Sequence, residues 1–347
     1  MPDDPFIVAL TGDFFDARGG PKYRDLGLSV LEAHAHVRYR TFAEHRPVIG
    51  PDQIGDANGV IVLTPRVTAE SVRGAADLLA VGRFGVGYDA VDVPACTAAD
   101  VAVFITAGAV DRSVAEATVG WMLALTHRVR VKDALLRAGR WDERSRHMGS
   151  ELRDRVFGSV GLGGIARATV GLLRGFGLRE FLACDPAVSP QVAAGLGVRL
   201  VGLEELLRRS DFVSLHCPLN ASTRGLIGAK ELAMMKHDAF LINTARGGIV
   251  DEEALYDVLK AGRIAGAALD CFAEEPVTRP HRFGELDNVL LAPHSIAWTD
   301  ELFRDIGRMV CQGMVDVSLG GRPHGLLNPE VFDRPGFQAK QARICRK

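Results

Sequence analysis

Short apolar runs alternate with amphipathic segments along most of this chain, and that alternation most constrains its fold. Runs such as 6–10 and 60–63 are apolar throughout and are bounded by turn residues, which is typical of strands buried on both faces. Strands that alternate with helices form βαβ units, and these pair in parallel. The pattern therefore predicts an α/β chain built from doubly wound parallel sheets.

The predicted strands form two series, and the length of 347 residues is consistent with about two domains. The first series comprises 6–10, 36–39, 60–63, 78–83 and 101–105, and the second comprises 157–161, 180–184, 198–200, 212–215, 239–243, 266–269 and 289–291. Between them, 111–139 predicts one long helix, with Ser113 and Glu116 as a capping box. A further helix is predicted at 298–319, and the segment after 328 is typical of loosely ordered chain.

Composition argues against several classes of function. The net charge is −2, and the basic residues are dispersed except at 343–347, so we expect neither a nucleic acid nor a membrane as partner. The chain has no apolar run of about twenty residues and no basic signal-like start. Its six cysteines form no CxxC motif and no cluster with zinc spacing, which favours reduced thiols in a cytoplasmic protein and no metal site.

A glycine-rich turn indicates a cofactor. The segment Gly161-Leu-Gly163-Gly164-Ile165-Ala166 fits G-x-G-x-x-G/A between a predicted strand and a predicted helix. Gly161 would permit the tight turn and Gly163 would leave room for a pyrophosphate. The N–H groups of Gly164 and Ile165 would face the phosphates at the helix N-terminus.

Asp185 closes the next predicted strand, about 20 residues downstream, where an acidic residue binds the ribose hydroxyls of a dinucleotide. A carboxylate at that place repels a 2′-phosphate, so we expect NAD rather than NADP. The alternative is that Asp185 only caps the turn before Pro186.

Three polar side chains, Arg246, Glu275 and His294, each lie beside the end of a predicted strand. A planar guanidinium matches a carboxylate bidentately, and a histidine beside a glutamate forms an acid–base pair. Together they predict a site for a small carboxylic acid. Two alternatives remain open: Arg246 could pair with Asp251 or Glu252, and His294 could cap the helix that follows it.

Several motifs together resemble those of the D-isomer-specific 2-hydroxyacid dehydrogenase family, over about residues 55 to 320. They are Arg83-Phe-Gly-Val-Gly-Tyr-Asp, Ser113-Val-Ala-Glu116, Gly161 to Ala166, Ser214-Leu-His-Cys-Pro218, Asn243-Thr-Ala-Arg-Gly247, Ala268-Leu-Asp270, Glu274-Glu-Pro276 and Pro293-His294. The resemblance implies a Rossmann NAD domain at 104–295 inserted into a flavodoxin-like substrate domain. That substrate domain would comprise 1–103 and a returning helix at 296–331, followed by a tail at 332–347.

The resemblance also implies residue roles. Arg246 would bind the substrate carboxylate and carbonyl, and Glu275, chosen over Glu274 because it precedes Pro276, would orient and charge the proton donor His294. The backbone amides of Val86 and Gly87 would hold the carboxylate. The cofactor would be lined by Thr118, Cys217, Pro218, Thr223, Thr244, Ala245 and Asp270, with Asp270 at the nicotinamide carboxamide.

The activity implied is NAD-dependent interconversion of a small 2-keto acid and its D-2-hydroxy acid by a homodimer. Leu63 appears in the slot where phosphoglycerate dehydrogenases place an arginine, with Arg66 as a partial substitute, which argues against a phosphorylated substrate. Gly164 stands where many relatives carry a basic residue. Glu275 argues against the formate dehydrogenases of the family, which pair the histidine with glutamine.

Two other functions fit the same Arg/Glu/His set: an NAD(H)-sensing, corepressor-like binding protein, and a phosphite-oxidising enzyme. In the loop at 141–150, His147 or Met148 either tunes substrate choice across a dimer or belongs to an ordinary exposed connection. We expect His216 to support the cofactor loop, Cys217 to pack rather than react, and His281 to be a surface residue.

Overall fold

The structure is a computed structural model that describes residues 4–16 and 18–345. It divides into two compact units, each containing one parallel sheet. Unit 1 comprises the chain up to Val110 together with the segment from Trp298 onward, and unit 2 comprises Asp111–Ala297. The predicted α/β class with two parallel sheets is confirmed.

Unit 1 begins with a five-stranded sheet of order β2-β1-β3-β4-β5. The strands are β1 (Phe6–Leu10), β2 (Val37–Thr41), β3 (Gly59–Val62), β4 (Ala80–Arg83) and β5 (Ala102–Ile105), and the helices between them are α1 (Ser29–Glu32), α2 (Pro51–Ile54) and α3 (Val93–Ala98). Every residue of the central strand β3 is buried, whereas the edge strand β2 buries only Val37. An apolar run thus marks a strand covered on both faces.

Unit 2 contains a seven-stranded sheet of order β12-β11-β10-β9-β6-β7-β8. Its strands are β6 (Val156–Val160), β7 (Glu180–Cys184), β8 (Arg199–Leu200), β9 (Phe212–Leu215), β10 (Phe240–Asn243), β11 (Gly266–Leu269) and β12 (Val289–Leu291). Its helices are α4 (Asp111–Thr126), α5 (Val129–Arg137), α6 (Gly164–Leu173), α7 (Pro190–Gly195), α8 (Leu203–Arg209), α9 (Ala229–Leu232) and α10 (Glu252–Lys260). The chain winds outward in opposite directions from β6 and β9, so a topological switch point lies between them.

Each face of the unit 2 sheet is covered by its own apolar core, because successive strand residues point to opposite faces. In β10, Leu241 belongs to one core and its neighbour Ile242 to the other. Helices α4 and α6 cover the second face, where Met122 of α4 and Val170 of α6 are buried together. The sheet is therefore a rigid base whose carboxyl-end loops can hold functional groups.

The prediction of one long helix over 111–139 is wrong, because the helix breaks after Thr126. Arg128 adopts a left-handed backbone with φ of 54°, and α5 starts at Val129. The Thr126 hydroxyl donates to the carbonyl oxygens of Met122 and Leu123, a bonding pattern that bends helices. The predicted capping box is also wrong: α4 already begins at Asp111, so Ser113 lies inside it.

The chain returns to unit 1 through α11 (Asp300–Ser318), and the segment after 328, expected to be loosely ordered, is not. A 3-10 helix at Pro329–Asp333 leads into α12 (Pro335–Ile344). Phe337 is fully buried, and the Lys340 ammonium donates to the carbonyl oxygens of Ala75, Leu78, Ala99 and Asp100 at 2.8–3.3 Å. One phenylalanine and one lysine thus anchor a helix whose other side chains are mostly small or polar.

Of the basic stretch at 343–347, positions 346 and 347 lie outside the described residues. Across 4–16 and 18–345, no helix combines the length and the apolar character needed to cross a membrane.

Candidate active site

The glycine-rich turn lies at the switch point of unit 2, between the carboxyl end of β6 and the start of α6. Gly161 has φ of 96°, and a Cβ there would lie 2.9 Å from the carbonyl carbon of His216, so only glycine fits. A Cβ at Gly163, by contrast, would meet no atom within 4 Å. The first N–H groups of α6, those of Gly164 and Ile165, point out of the helix without intrahelical acceptors.

This edge of the sheet fits a dinucleotide. Gly163 leaves open space next to the N-terminus of α6, which is the arrangement that binds pyrophosphates. At the end of β10, the Thr244 hydroxyl is buried without a hydrogen-bond partner, as expected of a group that a ligand satisfies. The residues present are therefore compatible with NAD held at this edge.

Asp185, at the end of β7, does more than cap a turn. Its Oδ1 accepts from the Ala187 N–H at 2.8 Å, which is the turn-capping bond considered as an alternative. Its Oδ2 accepts from the Leu162 N–H at 2.7 Å and ties the glycine-rich turn to β7. The carboxylate thus orients the turn and is placed at the strand end where ribose hydroxyls bind in such folds.

His216 and Cys217 follow β9 on the other side of the switch point. Burial lowers the pKa of His216 to about 4, and its Nε2 lies 2.9 Å from the Ser214 hydroxyl, so the neutral ring is a structural support. Burial raises the pKa of Cys217 to about 11, so the group stays a thiol and does not act as a nucleophile at neutral pH.

The remaining predicted cofactor residues are placed around this edge in different ways. The hydroxyls of Thr118 and Thr223 donate to protein carbonyl oxygens, those of Val114 at 2.8 Å and Pro218 at 2.5 Å. The Ala245 N–H donates to the side chain of Asn243 at 3.0 Å. In these positions the two threonine hydroxyls stabilise local backbone, and the Thr223 hydroxyl also accepts from the Asn220 N–H at 2.9 Å.

Three neighbouring strands, β10, β11 and β12, carry the charged groups. Arg246 follows β10, Asp270 and Glu275 follow β11, and His294 follows β12. Because parallel strands end at the same edge of a sheet, these side chains converge. The structure brings His294 Nδ1 to 2.8 Å from Glu275 Oε2, with side chains that are 45% and 34% exposed.

The backbone of His294 is in the left-handed region, with φ of 52°. Asp270 holds it there: the His294 N–H donates to the Asp270 carbonyl at 2.8 Å, and the Asp270 carboxylate accepts from Ser295 N–H and Ile296 N–H at 2.8 and 3.1 Å. The next helix, α11, is capped by the Thr299 hydroxyl. His294 therefore does not cap that helix.

The pKa values of two carboxyl groups near His294 are shifted in opposite directions. Burial raises the pKa of Asp270, although the two N–H bonds oppose the change. Burial also opposes ionisation of Glu275, but hydrogen bonds from His294 and Phe272 N–H, with the charge of Arg246, outweigh it and hold the pKa of Glu275 below its ordinary value. Glu275 is thus an anion at neutral pH, and its Oε2 faces the imidazole of His294.

The turn that carries Arg246 packs directly on the loop that carries Glu275. A Cβ at Gly247 would lie 1.9 Å from the carbonyl carbon of Phe272, so the two backbones touch and only glycine fits. Arg246 Nη1 donates to the Ala245 carbonyl at 2.7 Å, and the Arg246 carbonyl accepts from Asn243 Nδ2 at 2.8 Å. The guanidinium is therefore fixed relative to the acid–base pair.

A supporting residue that the sequence did not reveal is Glu252, at the start of α10. Its Oε1 accepts from the Ala273 N–H at 2.5 Å, and its Oε2 lies 3.7 Å from His281 Nε2. His281 packs between the rings of Phe272 and Phe283 with its side chain only 22% exposed, so its expected surface position is wrong. No local pattern connects position 252 with 273; only the closeness of the Gly247 turn to this loop could have indicated it.

The candidate partners named for Arg246 were Asp251 and Glu252. Asp251 caps α10 by accepting hydrogen bonds from the N–H groups of Glu253 and Ala254. The candidate substrate residues Val86 and Gly87 lie in unit 1, in the loop after β4. Leu63 follows β3 in the same unit, and its N–H donates to the Thr11 hydroxyl at 3.2 Å.

A cavity of about 290 Å³ lies at the opposite edge of the unit 2 sheet from the charged groups. It is lined by His147 and Met148 and by Phe240 at the amino end of β10. Within one chain, the 141–150 loop therefore lies at the amino ends of the strands.

The geometry defines a dinucleotide-binding α/β protein with an acid–base pair, and comparison with known proteins specifies its family. Residues 119–295 match the model described as D-isomer specific 2-hydroxyacid dehydrogenase, NAD binding domain. The chain belongs to the D-isomer specific 2-hydroxyacid dehydrogenase family.

The chain is 35% identical to a glyoxylate reductase of Korarchaeum cryptofilum, over 90% of this chain and 96% of that protein. It is 37% identical to a D-3-phosphoglycerate dehydrogenase of Methanocaldococcus jannaschii over 89% of this chain, and spans only 58% of that protein. The structure resembles that of a glyoxylate reductase from Paecilomyes thermophila with a TM-score of 0.79 and 27% identity, covering 95% of this chain and 99% of that one.

Proposed function

We propose that this protein is an NAD-dependent oxidoreductase that interconverts a small 2-keto acid and its D-2-hydroxy acid. The observation that carries the proposal is the 2.8 Å pair of His294 and Glu275, fixed beside Arg246 at the strand ends of a dinucleotide-binding unit. A carboxylate-binding guanidinium next to a charged imidazole is what reduction of a 2-keto acid requires.

In the reductive direction, bound NADH supplies the hydride. Arg246 binds the substrate carboxylate and stabilises the negative charge that develops on the carbonyl oxygen. His294, as imidazolium, donates a proton to that oxygen from Nε2, since Nδ1 faces Glu275. Glu275 stays ionised throughout and orients the ring, and the amides of Val86 and Gly87 are proposed to hold the carboxylate.

The substrate we favour is small and carries no phosphate. Leu63 offers a hydrocarbon side chain after β3, where an arginine would attract a phosphate. A relative that is matched over 96% of its own length is named a glyoxylate reductase. We propose NAD over NADP, because the Asp185 carboxylate at the end of β7 would repel a 2′-phosphate.

We also propose a homodimer in the cytoplasm. Large apolar side chains are exposed on α5 and the segment after it: Val129, Leu136, Trp141 and Met148 are 52%, 65%, 62% and 75% exposed. Such a patch is typical of an interface. All six cysteines are free thiols, which favours a reducing compartment.

The test is NADH consumption by the purified protein with a panel of 2-keto acids, including phosphohydroxypyruvate, together with NAD reduction by phosphite. Rapid consumption with one unphosphorylated acid, lost in His294→Ala, is the expected result. Reduction of NAD by phosphite, without turnover of any keto acid, would assign the phosphite-oxidising function. Tight NADH binding without any turnover would refute the enzyme and favour an NAD(H)-sensing protein.

A further inference from the structure

We propose that the protein contains an inhibitory site for Zn²⁺ formed by Cys271, Glu275 and His294. One donor atom from each of these residues, the cysteine Sγ, a carboxylate oxygen and an imidazole nitrogen, lies within 4.8 Å of the other two. Cys271 directly follows Asp270 in the chain, and 2% of its surface is exposed. The site goes beyond the proposed function, because a dehydrogenase of this kind needs no metal.

The spacing suits a tetrahedral cation. Zinc bonds of about 2.0–2.3 Å place neighbouring ligand atoms about 3.3–3.8 Å apart. One donor atom from each residue lies within 4.8 Å of the other two, and His294 Nδ1 and Glu275 Oε2 are 2.8 Å apart. Binding therefore requires side-chain rotations that bring the donor atoms to the tetrahedral spacing.

The donor set selects the metal. A thiolate, an imidazole and a carboxylate suit Zn²⁺, whereas Mg²⁺ and Ca²⁺ prefer oxygen ligands throughout. Three protein ligands leave a fourth position for water, and the partly exposed side chains of His294 and Glu275 give the cation access from solvent.

The surroundings keep the ligands in place. Cys271 Sγ lies 3.4 Å from the Ala245 carbonyl oxygen, and Glu275 Oε1 accepts from the Phe272 N–H at 2.8 Å, which directs Oε2 toward His294. The backbone of His294 is fixed by Asp270. The three ligands are thus positioned before any cation arrives.

Binding would replace protons with the metal. Starting from the imidazolium form of His294, bonds form from Cys271 Sγ, His294 Nδ1 and Glu275 Oε2 to Zn²⁺. The thiol proton and the Nδ1 proton leave to solvent, and Nε2 keeps its proton. No electron is transferred. A zinc-bound His294 can no longer become the imidazolium that donates a proton, so the cation inhibits reversibly.

The first arm of the test measures binding of zinc alone, by equilibrium dialysis of the full chain after chelator treatment. Wild type is expected to bind one Zn²⁺ per chain. Cys271→Val, Cys271→Ser and His294→Ala are each expected to lose at least about tenfold in affinity, since even the loss of an outer-shell partner weakens metal sites about 10- to 100-fold. Cys96→Val removes another buried cysteine and serves as the matched control, with binding unchanged.

The second arm measures inhibition of NADH consumption and rests on the proposed function. Cys271→Val should keep the uninhibited rate and need at least about ten times more zinc for half inhibition, and a chelator should restore the wild type. Equal zinc affinity in wild type and both Cys271 variants overturns the site. If no keto acid turns over but Cys271 still governs zinc binding, the site stands and the proposed function fails.

Discussion

At the carboxyl ends of the unit 2 strands, two groups of residues are held in place by different means. We call them the cofactor side and the acid–base side. On the cofactor side, defined by Gly161, Gly163 and Asp185, backbone shape dominates: a left-handed glycine, an open glycine and one carboxylate tied to a backbone N–H. On the acid–base side, defined by Arg246, Asp270, Glu275 and His294, charged side chains from three strand ends hold one another.

This difference shows that cofactor binding and proton transfer depend on the chain in different ways. A diphosphate can be recognised by N–H groups and space, which a short local segment supplies. Proton transfer needs a side chain whose charge is set by neighbours, and these neighbours come from distant segments. Variants of Arg246, Glu275 and His294 should therefore change turnover but not NADH affinity. Variants of Gly161, Gly163 and Asp185 should do the opposite.

The largest effect is expected for His294→Ala. Loss of the general acid should lower kcat/KM for the best keto acid by about 10² to 10⁴-fold. The dissociation constant of NADH, measured by fluorescence titration, should not change. A variant that loses NADH binding together with turnover would break the separation of the two sides.

Arg246→Ala should raise KM for the keto acid and lower kcat. A hydrogen bond to a charged group contributes about 1.5–3 kcal/mol, which corresponds to roughly 10- to 150-fold. Arg246→Lys keeps the charge but loses the bidentate geometry, and steady-state kinetics should place it between Ala and wild type. An unchanged KM in Arg246→Ala would remove this residue from carboxylate binding.

Asp185 tests the cofactor side. Asp185→Asn keeps an acceptor for the Leu162 N–H but loses the charge, so NADPH affinity should rise by about tenfold, as expected for one charge contact. Asp185→Ala loses both and should also weaken NADH binding. The measurement is the ratio of dissociation constants for the two cofactors with kcat at saturation; a wild type that prefers NADPH would contradict the assignment.

The smallest effect is expected for Glu252, whose carboxylate accepts a hydrogen bond from the loop that carries Glu275. Glu252→Ala frees the Ala273 N–H and should lower kcat by roughly two- to tenfold, since one hydrogen bond contributes about 0.5–1.5 kcal/mol. Glu252→Gln keeps the acceptor and should restore most of the activity. If Gln is as impaired as Ala, the charge rather than the bond positions the loop.

Sequence reasoning named the residues of both sides, because each follows a predicted strand, but it did not predict the contacts that support the acid–base side. Gly161 is required by local backbone geometry, and Gly163 leaves the space beside α6 open, so the glycine-rich turn is visible in the chain. Apolar runs likewise predicted strands such as β1 and β9, whose bounds agree with the structure. Tertiary contacts were not visible: no pattern links Glu252 to Ala273 or buries His281 between two rings.

The two wrong predictions about helices have the same origin. The break at Arg128 occurs without glycine or proline, where a threonine hydroxyl bonds back into the preceding turn. The order of α12 depends on Phe337 and on an ammonium that satisfies four distant carbonyl oxygens, with Ala99 the nearest at 2.8 Å. Both depend on partners that hydrophobic periodicity does not register.

At His294, the left-handed backbone sets a requirement of the proposed chemistry against the stability of the fold. A non-glycine residue in that conformation costs roughly 1–2 kcal/mol, and glycine adopts it freely. A search for thermostable variants of this protein that ignored activity would therefore favour replacement of the histidine to which the proposed function assigns proton transfer. Selection of this protein for stability therefore needs a simultaneous activity screen, because selection for stability alone would favour the loss of His294.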